Sequence, residues 1–115
     1  MRRIGLTLCL LIASAVGQWN VGSHLRPLTA SVSCSGHCVK LAWTGSVGAT
    51  SYNVYRYTGV CSPLPTFGTA YATGLTANPW TDTSVTSGAT YCYTMTAVNS
   101  LGESADSGVA QAVIP

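Results

Sequence analysis

The residues of this chain that could do chemistry are few and dispersed. The acidic residues are Asp82, Glu103 and Asp106, and the histidines are His24 and His37. A serine hydrolase would need a serine held against His37 and Asp82, but no Gly-x-Ser-x-Gly motif presents one. A glycoside hydrolase would need two carboxylates at a defined separation, and nothing fixes Asp82 against Glu103. We predict that the chain is not an enzyme and uses no cofactor, that Asp82 bonds its own backbone at a turn, and that the other two carboxylates are solvated.

The cysteines offer a choice between disulfides and a metal site. Cys9 lies in an apolar segment that we expect to be removed, which leaves four cysteines. They are Cys34, Cys38, Cys61 and Cys92. The first two, with a histidine between them, resemble half of a zinc site, but the last two stand far apart without an adjacent Cys or His. An even number of cysteines in an exported chain favours two disulfides, for which three pairings are possible, and no metal site is predicted.

Residues 1–17 have the layout of a secretory signal peptide. Two arginines precede an apolar run, Ile4 to Ala15, that ends in small residues. The run is about 12 residues long, whereas a membrane-spanning helix needs about 20. We expect cleavage after Ala15 or, by preference, after Gly17, and therefore a secreted or otherwise extracytoplasmic product. Residues 18–27 show no periodicity and are predicted to be a flexible lead-in.

The composition excludes several functional classes. Only 7% of the residues are charged and 47% are hydrophobic, which favours one folded domain over a disordered chain. Once the two N-terminal arginines are removed, basic and acidic residues are equal in number. The chain then has neither a basic face for nucleic acid nor a polybasic stretch for an anionic membrane. We expect no nucleic-acid partner and no membrane insertion after removal of the signal segment.

Residues 28–115 show the alternating pattern of β-strands. Apolar residues recur at every second position in several short segments, which clusters of Gly, Ser, Pro and Asn separate. The predicted strands are at residues 28–34, 38–44, 51–57, 67–72, 79–82, 90–98 and 107–113. The residues expected to face the core are Val39, Leu41, Trp43, Tyr52, Val54, Tyr91, Tyr93, Met95 and Ala97. The pattern predicts an all-β, seven-stranded antiparallel β-sandwich.

Four blocks of sequence, in the right order and at the right spacing, resemble a single fibronectin type III domain of the secreted, bacterial kind. The blocks are Val39–Trp43, Ala49–Arg56, Trp80–Val85, and Gly88–Tyr93 with Ala97–Ala105. The resemblance covers residues 28–115 and implies an immunoglobulin-like sandwich. It implies that Trp43 packs centrally opposite Tyr52 and that Trp80 is the buried aromatic residue of the fifth strand. It also implies that the Tyr91 hydroxyl bonds back to the preceding loop.

The cysteines depart from the family pattern, because most fibronectin type III domains lack disulfides. Cys34 and Cys38 flank a three-residue turn, so a hairpin-like connection would bring them within disulfide distance. In this fold Cys92 would begin the sixth strand, beside the third strand and near the loop that carries Cys61. The resemblance therefore favours the pairs Cys34 with Cys38 and Cys61 with Cys92.

Contact with a partner is the function that the sequence favours, because loops on a rigid sandwich carry recognition. The family's Arg-Gly-Asp tripeptide is absent. We expect a non-catalytic secreted module for extracellular or envelope protein interaction, adhesion or spacing. The alternative is a carbohydrate-binding accessory module, because Tyr55 and Tyr57 are expected to point outward from the third strand with Tyr71 beside them. Outward tyrosines also occur as ordinary cross-strand pairs or as part of an inter-domain surface. Under the two candidate functions together, the expected partner is an extracellular protein or a polysaccharide.

Overall fold

Two antiparallel β-sheets face each other in the computed structural model, which describes residues 28–115. The predicted signal peptide, residues 1–17, and the predicted lead-in, residues 18–27, lie outside the described residues. The strands are β1 (Thr29–Ser33), β2 (Cys38–Ala42), β3 (Ser51–Thr58), β4 (Ala72–Leu75), β5 (Trp80–Asp82), β6 (Thr90–Asn99), β7 (Gly102–Glu103) and β8 (Ala110–Val113).

The smaller sheet has the strand order β1-β2-β5, and the larger has the order β4-β3-β6 with β7 and β8 both pairing with β6. This arrangement confirms the all-β antiparallel sandwich that the sequence predicted, but residues 28–115 form eight strands and not the seven that were expected. None of the described residues belongs to a helix that could span a membrane.

The core between the sheets consists of side chains from alternate strand positions. The buried residues among those expected there are Val39, Leu41, Trp43, Val54, Tyr91, Tyr93, Met95 and Ala97. Tyr52 is partly buried and packs against Trp43, with 5.3 Å between the ring centroids. Trp80 was expected to be fully buried but is only partly so. Its strand, β5, is three residues long and forms an edge of the smaller sheet, so one flank of the indole has no neighbouring strand.

The fourth strand lies at Ala72–Leu75 and not at residues 67–72 as predicted. Residues 59–71 instead form a connection between β3 and β4, called here the long connection. Pro63 and Pro65 lie within it, and proline has no N–H with which to join a sheet ladder. The segment therefore crosses the surface before strand pairing resumes.

The last strand, predicted at residues 107–113, is shorter in the structure, where β8 covers Ala110–Val113, and an additional short strand that was not predicted, β7, lies at Gly102–Glu103. Between β7 and β8 the pairing register along β6 changes by two residues, so this edge bulges outward. The hydroxyls of Ser104 and Ser107 accept hydrogen bonds from the N–H groups of Ala97 and Met95, at 2.9 and 3.0 Å. These side chains satisfy the β6 amides at the point where the edge strand leaves the ladder.

Two disulfides are present in the structure. Cys34 is bonded to Cys38 across the turn between β1 and β2, with 5.5 Å between the Cα atoms. Cys61 is bonded to Cys92, which ties the long connection to β6, with 5.2 Å between the Cα atoms. These are the two pairs that the resemblance favoured. They differ in the length of chain that they close, which spans 4 residues in the first and 31 in the second.

Replacing Cys61 and Cys92 together by alanine is expected to lower the free energy of unfolding by about 3 to 4 kcal/mol, because the closed loop restricts the unfolded chain. Replacing Cys34 and Cys38 together should lower it by less, because that loop is short. Equilibrium unfolding in urea measures both differences. A greater loss in the Cys34 and Cys38 variant would contradict the argument.

Candidate functional site

The outer face of the larger sheet carries two of the three tyrosines that were expected to contact a ligand. Tyr55 and Tyr57 lie on this face because they alternate along β3 with Val54 and Arg56, which point inward. Tyr57 is 42% exposed, but Tyr55 is only 5% exposed. The expectation that Tyr55 is available to a ligand is therefore wrong. Its hydroxyl is used within the fold, where it donates a hydrogen bond to the carboxylate of Glu103.

Glu103, on the short strand β7, is the polar centre of this face. Its carboxylate accepts hydrogen bonds from the hydroxyls of Tyr55 and Thr96 and, at 3.2 Å, from the side-chain amide of Asn53. The expectation that Glu103 is solvated is wrong, because three donors from β3 and β6 converge on it. This carboxylate holds β7 to the sheet.

The long connection crosses the outer face of β6. Its disulfide joins Cys61 to Cys92, whose side chain is on that face, and the Cys61 N–H donates to the side-chain oxygen of Gln111 on β8 at 2.8 Å. Thr94 and Thr96 point outward from β6 but are completely buried. The outer face is therefore partly covered by a segment of the chain itself.

Tyr71 lies at the end of the long connection and does not join the other two tyrosines. Its hydroxyl donates to Asp82 of the smaller sheet at 3.0 Å, and the guanidinium of Arg56 lies 4.0 Å from its ring centre. The expectation that Tyr71 lies beside Tyr55 and Tyr57 is wrong, because the fourth strand begins only after Tyr71. Although 38% exposed, Tyr71 belongs to the interior side of the larger sheet.

Asp82, at the end of β5, is the centre of a polar cluster between the sheets and is 1% exposed. Its Oδ2 accepts hydrogen bonds from Arg56 Nη1 at 2.9 Å and from the Tyr93 hydroxyl at 2.8 Å. Its Oδ1 accepts from the Tyr71 hydroxyl and the Ser84 N–H, both at 3.0 Å. The bond to Ser84 is the local turn bond that the sequence predicted. The ion pair and the two phenol contacts were missed.

One feature of the sequence could have revealed this cluster. Tyr52 and Val54 alternate inward on β3, and the next inward position is Arg56. A cation on a core-facing position requires a buried anion to compensate its loss of water. The guanidinium also lies between the rings of Tyr71 and Tyr91, at 4.0 and 4.7 Å from their centres, which adds cation–π attraction.

Burial and the Asp82 carboxylate shift the proton equilibria of this cluster. The pKa of Tyr93 is raised well above its ordinary value, first by burial and then by its hydrogen bond to Asp82. The pKa of Tyr71 is raised mainly by burial. Burial alone would lower the pKa of Arg56, but its hydrogen bond and charge attraction to Asp82 outweigh this, and the pKa is raised. At neutral pH the phenols of Tyr71 and Tyr93 are therefore protonated, and the Arg56 guanidinium is charged.

The remaining predicted residues that lie within 28–115 include His37 and the first two cysteines, which have local partners of their own. His37 is exposed on the turn between β1 and β2, where its Nδ1 lies 2.9 Å from the carbonyl oxygen of Ser35. The neighbouring cysteines are bonded to one another and are not thiolate ligands. Within residues 28–115, no three His, Cys, Asp or Glu side chains converge as a metal site would require.

The Tyr91 hydroxyl accepts a hydrogen bond from the Thr86 N–H at 2.9 Å, which is the loop contact that the resemblance implied. A solved structure of an Fn3-like protein from Clostridium thermocellum is 33% identical to this chain, with a TM-score of 0.70. The match covers 84% of this chain and 96% of that one. The chain belongs to the fibronectin type III family. The resemblance drawn from the sequence is thereby confirmed.

Two further comparisons place this fibronectin type III domain among its relatives. The FN5 domain of Drosophila Lar is 10% identical with a TM-score of 0.62, covering 81% of this chain and 96% of that one, and shows likeness of fold alone. An amylopullulanase of Thermoanaerobacterium saccharolyticum is 34% identical over 80 residues, or 67% of this chain. The chain spans only 6% of the length of that enzyme. A comparison with protein-family models finds no match.

Replacing Arg56 by Met is expected to lower the free energy of unfolding by about 3 to 5 kcal/mol, because it leaves the Asp82 charge buried without a cation. Replacing Lys40 by Met is the matched control, because Lys40 is exposed on β2, and it should change stability by no more than about 0.5 kcal/mol. Urea unfolding measures both. Equal effects would contradict the central role of the ion pair.

Alkaline pH is expected to destabilise the domain through Tyr93. Below about pH 10 the phenol is protonated in both the folded and the unfolded chain, so its contribution is constant. Above that pH the unfolded chain loses its proton first, because the pKa is raised only in the folded state, and the free energy of unfolding falls.

The variant Tyr93→Phe tests this expectation. It should be less stable at neutral pH by about 1 to 3 kcal/mol, because Asp82 loses a donor. It should also lose less stability than the unchanged domain between about pH 8 and about pH 11. Unfolding curves at both pH values decide, and an equal alkaline loss in the two proteins would exclude Tyr93 as the cause.

Proposed function

We propose that this fibronectin type III domain is a non-catalytic, extracytoplasmic accessory module that acts by contact, alongside a polysaccharide-acting enzyme. The observation that carries the proposal is that the carboxylates of Asp82 and Glu103 are engaged within the fold. Asp82 accepts hydrogen bonds from four donors and Glu103 from three, all within the fold. Groups held in this way stabilise structure and are not free to exchange protons with a substrate.

The similarity to the amylopullulanase supports the association with polysaccharide. The matching segment is a small fraction of a long enzyme, as expected for a module that accompanies a catalytic domain. The two disulfides and the signal-like segment at residues 1–17 support an extracytoplasmic location, because disulfides persist in oxidising compartments.

A second candidate function is contact with an extracellular or envelope protein. The outer face of the larger sheet, the long connection and the segment before β8 expose several large apolar side chains. They include Tyr57, Val60, Leu64, Val109 and Val113. Apolar side chains gathered on one face are typical of an interaction surface between proteins or between domains.

The full chain, expressed with export so that both disulfides form, is expected to release no reducing sugar from starch or pullulan. It should co-sediment with insoluble starch or with envelope material from the source cells. Val47→Ala is the control variant, because Val47 is highly exposed on the connection between β2 and β3. Retention on envelope material that is lost in Tyr57→Ala but kept in Val47→Ala would favour the second candidate. Sugar release that co-purifies with the chain would contradict the non-catalytic assignment. Absence of retention on both materials would contradict the contact function.

A further inference from the structure

The turn between β1 and β2 carries a disulfide with one accessible and one inaccessible side. Cys34 is exposed, whereas Cys38 is only 1% exposed. The second disulfide has no such open side, because Cys61 is partly buried and Cys92 is completely buried. Thiol–disulfide exchange begins when a thiolate reaches one sulfur of the bond, so access decides which disulfide reacts. We propose that the Cys34–Cys38 disulfide is an exchange site for an external dithiol, while the Cys61–Cys92 disulfide is structural.

The backbone of this turn is held in an unfavourable conformation. Cys34 and Ser35 both have a φ of 56°, and Gly36 follows with a φ of 89°. Within residues 28–115, no other non-glycine residue has a positive φ. The left-handed region is unfavourable for a residue that has a β-carbon, and of these three only the glycine lacks one. Opening the disulfide allows Cys34 and Ser35 to leave this region, which favours reduction at this turn.

Cys38 is placed to leave as a thiolate. Attack on the exposed sulfur of Cys34 breaks the S–S bond and moves its electron pair to Cys38 Sγ. The Ser33 hydroxyl lies 3.1 Å from Cys38 Sγ and 3.8 Å from Cys34 Sγ. A disulfide sulfur carries no proton, so the hydroxyl is the donor in these contacts. The same O–H is already in position to stabilise the Cys38 thiolate as it forms, because hydrogen bonds to charged groups are the stronger ones.

The exchange consumes one molecule of the dithiol. Its first thiolate forms a mixed disulfide with Cys34 Sγ, and the departing Cys38 thiolate takes up a proton. The second thiolate of the same molecule then attacks the first sulfur, and Cys34 leaves and takes up a proton in its turn. The dithiol is thereby oxidised to a disulfide with the loss of two protons. The Cys34–Cys38 bond is reduced to two thiols by the same two electrons.

Reduction at this turn leaves the sandwich in place. The pairing of β1 with β2 ends at Ser33 and Cys38, so residues 34–37 add nothing to the ladder. The Gly36 N–H donates to the Ser33 carbonyl at 3.0 Å, a bond that does not need the disulfide. A β-carbon on Gly36 would come within 3.1 Å of Pro115 Cγ, so the turn lies directly on that ring. Relaxation of the turn therefore changes the surface that it forms with Pro115 and not the core.

The test uses the full chain, exported so that both disulfides form, with dithiothreitol as the dithiol and no denaturant during the reaction. Samples are quenched at successive times with N-ethylmaleimide in urea, digested and analysed by mass spectrometry. We expect Cys34 and Cys38 to become labelled at least about tenfold faster than Cys61 and Cys92, because only the first disulfide offers an accessible sulfur. Equal rates, or earlier labelling of Cys61 and Cys92, would overturn the proposal.

Glutathione, which has a single thiol, locates the attacked sulfur. The mixed disulfide that it forms is trapped by the same quench, because the maleimide blocks the sulfur that has left. We expect glutathione on Cys34 and maleimide on Cys38. The reverse distribution would overturn the proposal, because it would require attack on the buried side of the bond.

The variant Ser33→Ala tests the donor to the leaving sulfur. Reduction of Cys34–Cys38 should become slower by about fivefold, because the forming thiolate loses one hydrogen bond. Ser31→Ala is the matched control, because Ser31 is exposed two residues earlier on the same strand, and it should leave the rate unchanged. The rate at Cys61–Cys92 is the internal reference in both variants. An unchanged rate in Ser33→Ala would contradict the role given to its hydroxyl.

The variant Ser35→Gly tests the contribution of the backbone. Glycine adopts a left-handed φ without the penalty, so the equilibrium constant for reduction in a glutathione buffer should fall by about fivefold. Ser100→Gly is the matched control, because Ser100 lies exposed in the turn between β6 and β7 and its φ is not positive. The same equilibrium constant in both variants would contradict a contribution from the left-handed backbone.

Discussion

The buried carboxylate of Asp82 is the constraint on which much of the sandwich depends. A charge removed from water is strongly unfavourable unless it is paired and fully hydrogen-bonded. Three of its four donors lie on β3, on β6 and just before β4, on the side of the larger sheet, while Asp82 belongs to the smaller. Apolar packing alone would allow the two sheets to shift against each other with a modest loss of stability. The Asp82 carboxylate requires Arg56 and Tyr93 beside it, so any other alignment of the sheets would leave its charge buried without partners.

The outer face of the larger sheet is organised by a second carboxylate and by a disulfide. Glu103 collects donors from β3 and β6 and so holds a strand of only two residues. The Cys61–Cys92 disulfide fixes the long connection over the same face. Together they explain why a face that would be open to water in a simple sandwich contains completely buried threonines.

Alternation along the strands was sufficient to predict the sandwich and its central core. The side chains of residues such as Leu41, Val54 and Met95 follow the period of two that the strand backbone imposes. The same rule placed Tyr55 correctly on the outer face but could not show what covers it. Its hydroxyl is bonded to Glu103 on β7, and the pattern within one strand contains no information about a partner on another strand.

The remaining errors have related causes. The ion pair between Arg56 and Asp82 joins residues in different sheets, and a local pattern does not show which inward cation meets which carboxylate. The additional strand β7 and the late start of β8 depend on Ser104 and Ser107, whose hydroxyls replace ladder partners between the two strands, and serine is equally common in turns. Trp80 was placed on the correct strand, but its exposure depends on β5 being an edge.

The long connection is anchored near both of its ends by bonds that do not involve its middle. Cys61 is attached to β6 near its start, and Tyr71 is attached to Val54 and Asp82 at its end. The residues between these anchors can therefore be exchanged without disturbing the ion pair or the core. In evolution, or in a combinatorial library, this segment is a place where recognition can diversify while the scaffold is inherited unchanged.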